Sequence, residues 1–163
     1  MFNVVLVEPE IPANTGNIAR TCAASGTALH LVRPLGFSLD DRQLKRAGLD
    51  YWHLLDINYY DSFSELFEKH RDAKFFFATT KGGQVYSGFD IPDGSFFVFG
   101  KETKGLPEEL LKEHLDTCVR IPMVEGARSL NLCNSVAIVL FEALRQHNFE
   151  DMRLFGKLKG TEF

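Results

Sequence analysis

The chain has 163 residues, of which 45% are hydrophobic and 25% are charged. This composition is typical of one globular domain with a sizeable core, and it excludes a low-complexity chain. The formal net charge of −4 argues against non-specific binding of nucleic acid, because such binding depends on contacts to phosphates.

The N-terminus and the cysteines indicate the compartment. No apolar run approaches the ~20 residues that cross a bilayer, and the segment Met1–Val7 is typical of a first strand, not of a cleaved leader. Cys22, Cys118 and Cys133 form no Cys-x-x-Cys pair. We therefore expect reduced thiols, buried in the core of a cytoplasmic protein that has no membrane segment.

Apolar segments in the first third of the chain alternate between short strand-like runs and helical patterns. Val4–Val7 is a continuous apolar run, as expected for a strand that is covered on both faces. Thr15–Ser25 is rich in small residues and stops at Gly26, which is typical of a helix. The other predicted elements here are a strand at Ala28–Val32, a helix at Asp40–Ala47 and a strand at Trp52–Ile57.

The same alternation continues to the C-terminus and predicts the fold class. The predicted strands are Lys74–Ala78, Ser95–Phe99 and Cys118–Ile121, and the predicted helices are Ser62–His70, Pro107–His114 and Leu130–His147. Alternating strands and helices favour an α/β fold, with a mostly parallel sheet and helices on both faces. We expect a single domain over residues 1–163, in which 150–163 form a loosely held tail.

Basic residues are concentrated in two places. Arg42, Lys45 and Arg46 occupy positions i, i+3 and i+4 of a predicted helix and would share one face. Arg153, Lys157 and Lys159 give the tail a basic character. Each group is compatible either with a surface that contacts RNA or with ordinary solvated charge.

Three polar segments each lie where a predicted strand gives way to a predicted helix. They are Asn14–Arg20, Phe99–Pro107 and the turn from Glu125 to Asn131. Helix starts present free backbone N–H groups, and ligands of parallel sheets bind beyond the carboxyl ends of the strands. These segments predict one composite ligand site.

Several common kinds of site are disfavoured. No G-x-G-x-x-G pattern follows the first strand, and Gly100-Lys101 lacks the glycine and the hydroxyl residue of a P-loop. The five histidines are scattered without metal-ligand spacing. A Cys-His nucleophilic pair is equally unsupported. The remaining possibility is a site built from backbone groups and small polar side chains.

Three ordered motifs resemble those of the SPOUT RNA methyltransferases: Pro9–Arg20, Phe99–Pro107, and Ile121-Pro-Met followed by Arg128–Leu132. The similarity is strongest to the minimal, single-domain members that 2′-O-methylate the wobble nucleotide, number 34, of tRNA. It covers nearly the whole chain, including Arg46–Asp50 and Thr79–Gly82.

The resemblance implies further features that composition and periodicity do not give. It implies a trefoil knot formed by the C-terminal segment, although general topology rules would argue against one. It also implies that S-adenosylmethionine (SAM) binds in the knot, without metal, held largely by backbone groups. The positions that match the family's cofactor-binding loops are Ala78, Thr79, Gly100, Glu102, Ile121, Met123, Ser129 and Leu130.

The same resemblance implies that Arg20 is the catalytic residue. It would accept the proton of the ribose 2′-hydroxyl, or it would position that hydroxyl and a neighbouring phosphate. Taken singly, each motif residue also has an ordinary interpretation: Arg20 as a surface charge, Glu102 as a solvated acid and Ser129 as a helix cap.

The last predicted helix indicates the assembly. Val136–Phe141 is apolar around its full circumference, which is unusual for a helix with one face in water. We expect a homodimer that forms through this helix and acts on tRNA. The alternatives are a methyltransferase for another tRNA or ribosomal RNA site, or a non-catalytic RNA-binding module.

Overall fold

The computed structural model describes residues 1–38 and 55–159. Its strands are β1 (Asn3–Val7), β2 (Ala28–Val32), β3 (Ile57–Tyr60), β4 (Phe75–Ala78), β5 (Gln84–Val85), β6 (Phe96–Phe99) and β7 (Cys118–Arg120). Its α-helices are α1 (Pro12–Ser25), α2 (Phe63–Lys69), α3 (Glu108–Glu113) and α4 (Leu132–Gln146). Single 3₁₀ turns lie at Tyr86–Gly88 and Leu115–Thr117.

The described strands form one sheet in the order β3-β2-β1-β6-β4-β7-β5, and neighbouring strands are parallel. The chain therefore starts near the middle of the sheet, builds one half outward through β3, and then builds the other half. Strands β2 and β3 lie on one side of β1, and the later strands lie on its other side, so the order of the strands reverses beside β1. In open parallel sheets a crevice forms at such a point, outside the carboxyl ends of the strands.

Both faces of the sheet are covered, because consecutive strand residues point to opposite sides. Phe76 and Phe97 pack in one cluster with apolar residues of α1 and α4. Phe75, Phe77 and Phe96 pack in the other cluster with Leu66 of α2 and Leu111 of α3. The prediction of an α/β fold with a parallel sheet and helices on both faces is confirmed.

Two elements differ from their predicted bounds by more than two residues at one end. Part of the strand predicted at Trp52–Ile57 lies outside the described residues, and a strand is observed at Ile57–Tyr60, where it pairs with Leu29–Val32. This strand continues past the predicted end at Ile57, because the residues that follow lie opposite the buried run of β2. Helix α1 begins at Pro12, before the predicted Thr15, with proline in its first turn, and it ends at Gly26 in the left-handed conformation as predicted.

Other predicted segments are confirmed in part or lie outside the described residues. The helix predicted at Asp40–Ala47, with its basic face, lies outside them. Strand β5 was missed, because it has only two residues and both are exposed. In the tail, Met152 packs against the core, while residues 153–159 are exposed and have no regular secondary structure. No described helix is both long and apolar enough to span a bilayer.

Candidate functional site

A cavity of about 600 Å³ lies at the carboxyl ends of β4, β6 and β7 and beside the start of α1. This volume is within the range that small-molecule ligands and cofactors occupy. Its wall combines Ala78 from the end of β4, Phe99 from the end of β6, Val119 from β7 and Asn14 from α1. The cavity therefore occupies the position that the strand order predicts for a ligand.

The structure brings together all eight residues that the sequence assigns to cofactor binding. They come from three loops, after β4, after β6 and between β7 and α4, and all of them line the cavity: Ala78, Thr79, Gly100, Glu102, Ile121, Met123, Ser129 and Leu130. Three separate loops thus form one site in the folded chain, and of the polar segment Asn14–Arg20 only Asn14 lines it.

The loop after β6 is held in a tight turn. Lys101 and Gly105 pair as an isolated bridge, with Gly105 N–H donating to Lys101 O over 2.8 Å. A Cβ on Gly100 would lie 2.1 Å from Gly105 C and 2.2 Å from Leu106 N. Gly100 is therefore required for the folding of its own loop, in addition to any close approach by a ligand.

Glu102 fixes this loop to the start of α1. One carboxylate oxygen accepts from Glu10 N–H over 2.8 Å, and the other accepts from Ile11 N–H over 3.2 Å and from Asn14 Nδ2 over 3.0 Å. The N-cap residue Ile11 has no capping side chain of its own. The carboxylate thus satisfies N–H groups near the positive end of the helix dipole. It is not a freely solvated acid.

Asn14 continues this network to α4. It is 7% exposed, and its Oδ1 accepts a hydrogen bond of 3.1 Å from Asn131 Nδ2. Asn131 in turn caps α4, because its Oδ1 accepts from Cys133 N–H over 2.8 Å. Sequence reasoning included Asn14 and Asn131 in the polar segments of the predicted composite site, but it did not name either as a cofactor-binding or catalytic residue.

The cysteines are buried or partly buried as free thiols. Cys22 and Cys118 are buried, and burial raises the pKa of Cys22 to about 12. Cys133 is only half-buried, and its Sγ lies 3.4 Å from both oxygens of Asn14. The expectation of a thiol buried in the core is met only in part by Cys133, because the fold places it beside the Asn14 side chain at the cavity.

The segment between β7 and α4 exposes much of its backbone. From Ile121 to Leu130, the only backbone N–H that donates to a carbonyl of another described residue is that of Ala127, to Val124 over 3.2 Å. Four residues of this segment line the cavity: Ile121, Met123, Ser129 and Leu130. A polar ligand with adjacent donors and acceptors fits such a wall, which is the chemistry expected for SAM.

Basic side chains that belong to the motif segments surround the cavity, although the sequence analysis gave them no role in the site. Lys81, Lys101, Lys104 and Arg128 all line it. Lys101 pairs with Glu8, and Lys81 pairs with Glu108 at the start of α3. The site is therefore locally positive, although the chain as a whole is acidic.

Arg20 lies apart from this cavity. It is exposed in the middle of α1 and shares a face with exposed Asn17 and Ala24, which are three residues before it and four residues after it. It does not line the cavity of its own chain. The structure thus places the predicted catalytic residue and the predicted cofactor residues in different locations within one subunit.

The described histidines form no metal centre. No three His, Cys, Asp or Glu residues of the described segments are grouped as metal ligands. His30 is buried, with Nδ1 at 3.1 Å from Tyr60 OH and Nε2 at 3.1 Å from Asn3 Oδ1. Burial, and secondarily the nearby His70, lower the pKa of His30 to about 4, so it is a neutral structural residue at pH 7.

Comparison with known proteins identifies relatives that share this architecture. The chain is 50% identical over 150 residues to the tRNA (cytidine(34)-2′-O)-methyltransferase of Methylovorus glucosotrophus, covering 91% of this chain and 97% of that protein. A solved structure described as "Structural insights into the 2-OH methylation of C/U34 on tRNA" superimposes with a TM-score of 0.87 at 44% identity, covering 91% and 97% of the two chains.

A more distant solved structure contains the cofactor. The AdoMet-bound rRNA methyltransferase of Sinorhizobium meliloti superimposes with a TM-score of 0.77 at 28% identity, covering 88% of this chain and 56% of that one. Residues 1–141, which include all three strand-end loops of the cavity, match the SpoU rRNA Methylase family. The shared fold, the matched residues and the close relatives agree, and the chain belongs to the SpoU methylase family.

Proposed function

We propose that this protein transfers a methyl group from SAM to the ribose 2′-hydroxyl of nucleotide 34 in tRNA. The observation that carries the proposal is the single cavity formed by the three motif loops. It is supported by the 50% identity to a tRNA (cytidine(34)-2′-O)-methyltransferase over nearly the full length of both chains. We expect the protein to act in the cytoplasm, where its substrate would be found.

The cavity residues would hold the cofactor mainly through their backbone groups. When bound, SAM supplies an electrophilic methyl group on its sulfonium. Ala78 and Thr79 at the end of β4, Gly100 and Glu102 after β6, and the segment from Ile121 to Leu130 form the surrounding wall. Because Glu102 is already bound to the start of α1, its carboxylate would keep the wall in place and leave its backbone to contact the ligand.

Alignment of the ribose oxygen with the methyl group accounts for a large part of such a reaction. As the oxygen bonds to the methyl carbon, the carbon–sulfur bond would break to release S-adenosylhomocysteine, and the 2′-hydroxyl proton would pass to water. Arg20 is the residue we assign to positioning the hydroxyl for this step. A guanidinium with a pKa above ~12 is a poor base, so we favour a role in which its planar donors hold the ribose oxygen and an adjacent phosphate.

A second copy of the chain would explain the position of Arg20. Helix α4 buries Val136, Val139 and Leu140 in the core, but Phe141 is 43% exposed and Ile138 is only half-buried on the outward side. Helix α1, with Arg20 on its exposed face, packs beside α4. We propose a homodimer through these outward faces, in which Arg20 of one subunit reaches the cavity of the other.

The C-terminal trefoil knot belongs to the same proposal. It would require α4 to follow a chain segment that threads between the loops of the cavity. The Glu102–Asn14–Asn131 network, which ties α4 to α1 and to the loop after β6, is compatible with such an arrangement.

Mass spectrometry of tRNA nucleosides tests the proposed reaction. tRNA from a strain that lacks the gene should have lost 2′-O-methylcytidine or 2′-O-methyluridine at nucleotide 34, and purified protein with SAM should restore it. Loss of a 2′-O-methyl group at another tRNA or ribosomal RNA position would assign a different substrate. An unchanged nucleoside profile, together with no methyl transfer in vitro, would leave only a non-catalytic RNA-binding role.

A further inference from the structure

Two basic residues at the cavity differ from the other two. Lys81 and Lys101 are each engaged by a glutamate. Lys104 and Arg128 also line the cavity and are exposed. Within residues 1–38 and 55–159, neither of these two side chains has a hydrogen bond or an ion pair.

The positions of these two cations point to a shared ligand. Lys104 lies on the loop after β6, and Arg128 lies on the segment between β7 and α4, so two separate loops direct positive charge to one cavity. Glu102 is the only acid among the described residues that line it. Its carboxylate accepts two backbone N–H groups and the Asn14 amide, and among the described residues it forms no ion pair with either cation.

We propose that Lys104 and Arg128 together bind one phosphodiester of the RNA substrate at the mouth of the cavity. This inference rests on the proposed function, because it specifies how that site would recognise RNA. A guanidinium presents paired donors to two phosphate oxygens, and a lysine ammonium adds a mobile point charge. Because neither side chain has a partner to release among the described residues, the phosphate would gain both contacts directly.

An RNA phosphate explains the two cations better than the carboxylate of SAM does. Both side chains are exposed, as expected for groups that meet a large ligand from outside. The exposed backbone between β7 and α4 is available for the polar groups of the cofactor. A chain with a net charge of −4 also needs a local positive site if it is to hold a polyanion.

Binding measurements on Lys104→Ala, Arg128→Ala and the double variant test this site. The probes are a synthetic tRNA anticodon stem-loop, followed by fluorescence anisotropy at several salt concentrations, and S-adenosylhomocysteine, followed by calorimetry. We expect each single variant to weaken RNA binding about 10-fold, the scale of a lost hydrogen bond to a charged group. The slope of log affinity against log salt concentration should also become less steep by about one unit for each residue replaced, because one phosphate contact is lost.

A matched control lies at the other end of the sheet. Lys74 is exposed just before β4 begins, whereas the cavity lies beyond the end of that strand. Lys74→Ala removes the same charge and should leave the affinity for the stem-loop unchanged. Arg128→Lys should restore part of the affinity, because it keeps the charge but loses the planar donors.

The outcomes separate this inference from the proposed function. If the variants bind S-adenosylhomocysteine more weakly but bind RNA normally, the anion is the cofactor carboxylate and the proposal is overturned. If the variants bind both probes normally, the proposal is also overturned. If the wild type methylates nucleotide 34 and the variants bind RNA as well as the wild type does, the phosphate site is excluded and the proposed function stands. Weakened RNA binding in the variants, with no methyl transfer by the wild type, would support the phosphate site and defeat the proposed function.

Discussion

Asn131 donates a hydrogen bond of 3.1 Å to the side-chain oxygen of Asn14, 117 positions earlier in the chain. Asn14 also donates to Glu102, so three loops share one chain of hydrogen bonds. Buried polar networks of this kind are stabilising only when every member is satisfied. The geometry of the cavity therefore depends on two side chains that belong to different junctions.

Replacement of Asn131 tests this link. Asn131→Ala removes both the donor to Asn14 and the cap of α4, so we expect a loss of about 1–2 kcal/mol in the free energy of unfolding. Asn131→Asp keeps a capping oxygen but places a carboxylate beside Asn14 Oδ1, and it should weaken cofactor binding more than it weakens the helix. Urea unfolding and calorimetry with S-adenosylhomocysteine measure the two effects. Asn134→Ala, at an exposed position of the same helix, is the control and should change neither quantity.

Gly100→Ala should abolish cofactor binding because it displaces the loop that contains Gly100. The new Cβ would overlap the backbone of Gly105 and Leu106, so the turn has to move and the cavity wall moves with it. Gly88→Ala provides the comparison, because a Cβ there meets nothing within 4 Å. We expect calorimetry to detect S-adenosylhomocysteine binding in Gly88→Ala and not in Gly100→Ala. Normal binding in Gly100→Ala would show that this loop is not part of the site.

Arg20→Ala should separate chemistry from folding. Because Arg20 is exposed and lies outside the cavity of its own chain, thermal unfolding and affinity for SAM should change little. The rate of single-turnover methylation at saturating SAM and tRNA should fall about 10²-fold or more. Arg20→Lys should rescue this rate poorly, since an ammonium lacks the planar donors. A folded Arg20→Ala protein with a near wild-type rate would exclude Arg20 from the mechanism.

Mixed dimers test whether Arg20 acts across subunits. Ser129→Trp should fill the exposed edge of the cavity and inactivate its own subunit. If Arg20 serves the partner's cavity, co-expression of Arg20→Ala with Ser129→Trp should restore activity in mixed dimers, although each variant alone is inactive. Activity no higher than that of the two separate variants would contradict action between subunits.

Two positions on α4 distinguish dimer formation from folding. Phe141 is 43% exposed and Val139 is 1% exposed. We expect Phe141→Glu to produce a folded monomer and Val139→Glu to unfold the protein, because the second change buries an unpaired charge. Analytical ultracentrifugation and circular dichroism report the two outcomes. A wild-type protein that is monomeric and active at assay concentration would rule out the proposed dimer.

The buried His30 should make the fold sensitive to acid. Its pKa in the folded state is lowered to about 4, below its ordinary value near 6.5. The unfolded chain therefore takes up the proton first, so stability is fully present above pH 6.5 and is lost as the pH falls toward 4. The full effect is about 3 kcal/mol. Urea unfolding should show a flatter pH dependence over this window in His30→Gln than in the wild type, and equal slopes would contradict the assignment.

The sequence by itself determined the order of the elements and the location of the site. Continuous apolar runs such as Val4–Val7, and the small-residue helix that stops at Gly26, are local patterns that hold whatever the rest of the chain does. The motif loops also follow strands locally, and parallel strands place their carboxyl ends at one edge. That is why all eight predicted cofactor residues meet in one cavity.

The tertiary structure alone decided how helices are rotated and which distant groups meet. Val139 and Phe141 are two residues apart on an apolar helix, and only its packing against the sheet determines that the first is buried and the second exposed. Tertiary packing also decides three other features: the exposure of Arg20, the hydrogen bonds from α1 to Glu102, and the lack of space for a Cβ at Gly100. Each depends on contacts between segments that are far apart in sequence or on the path of the folded backbone, which local periodicity does not encode.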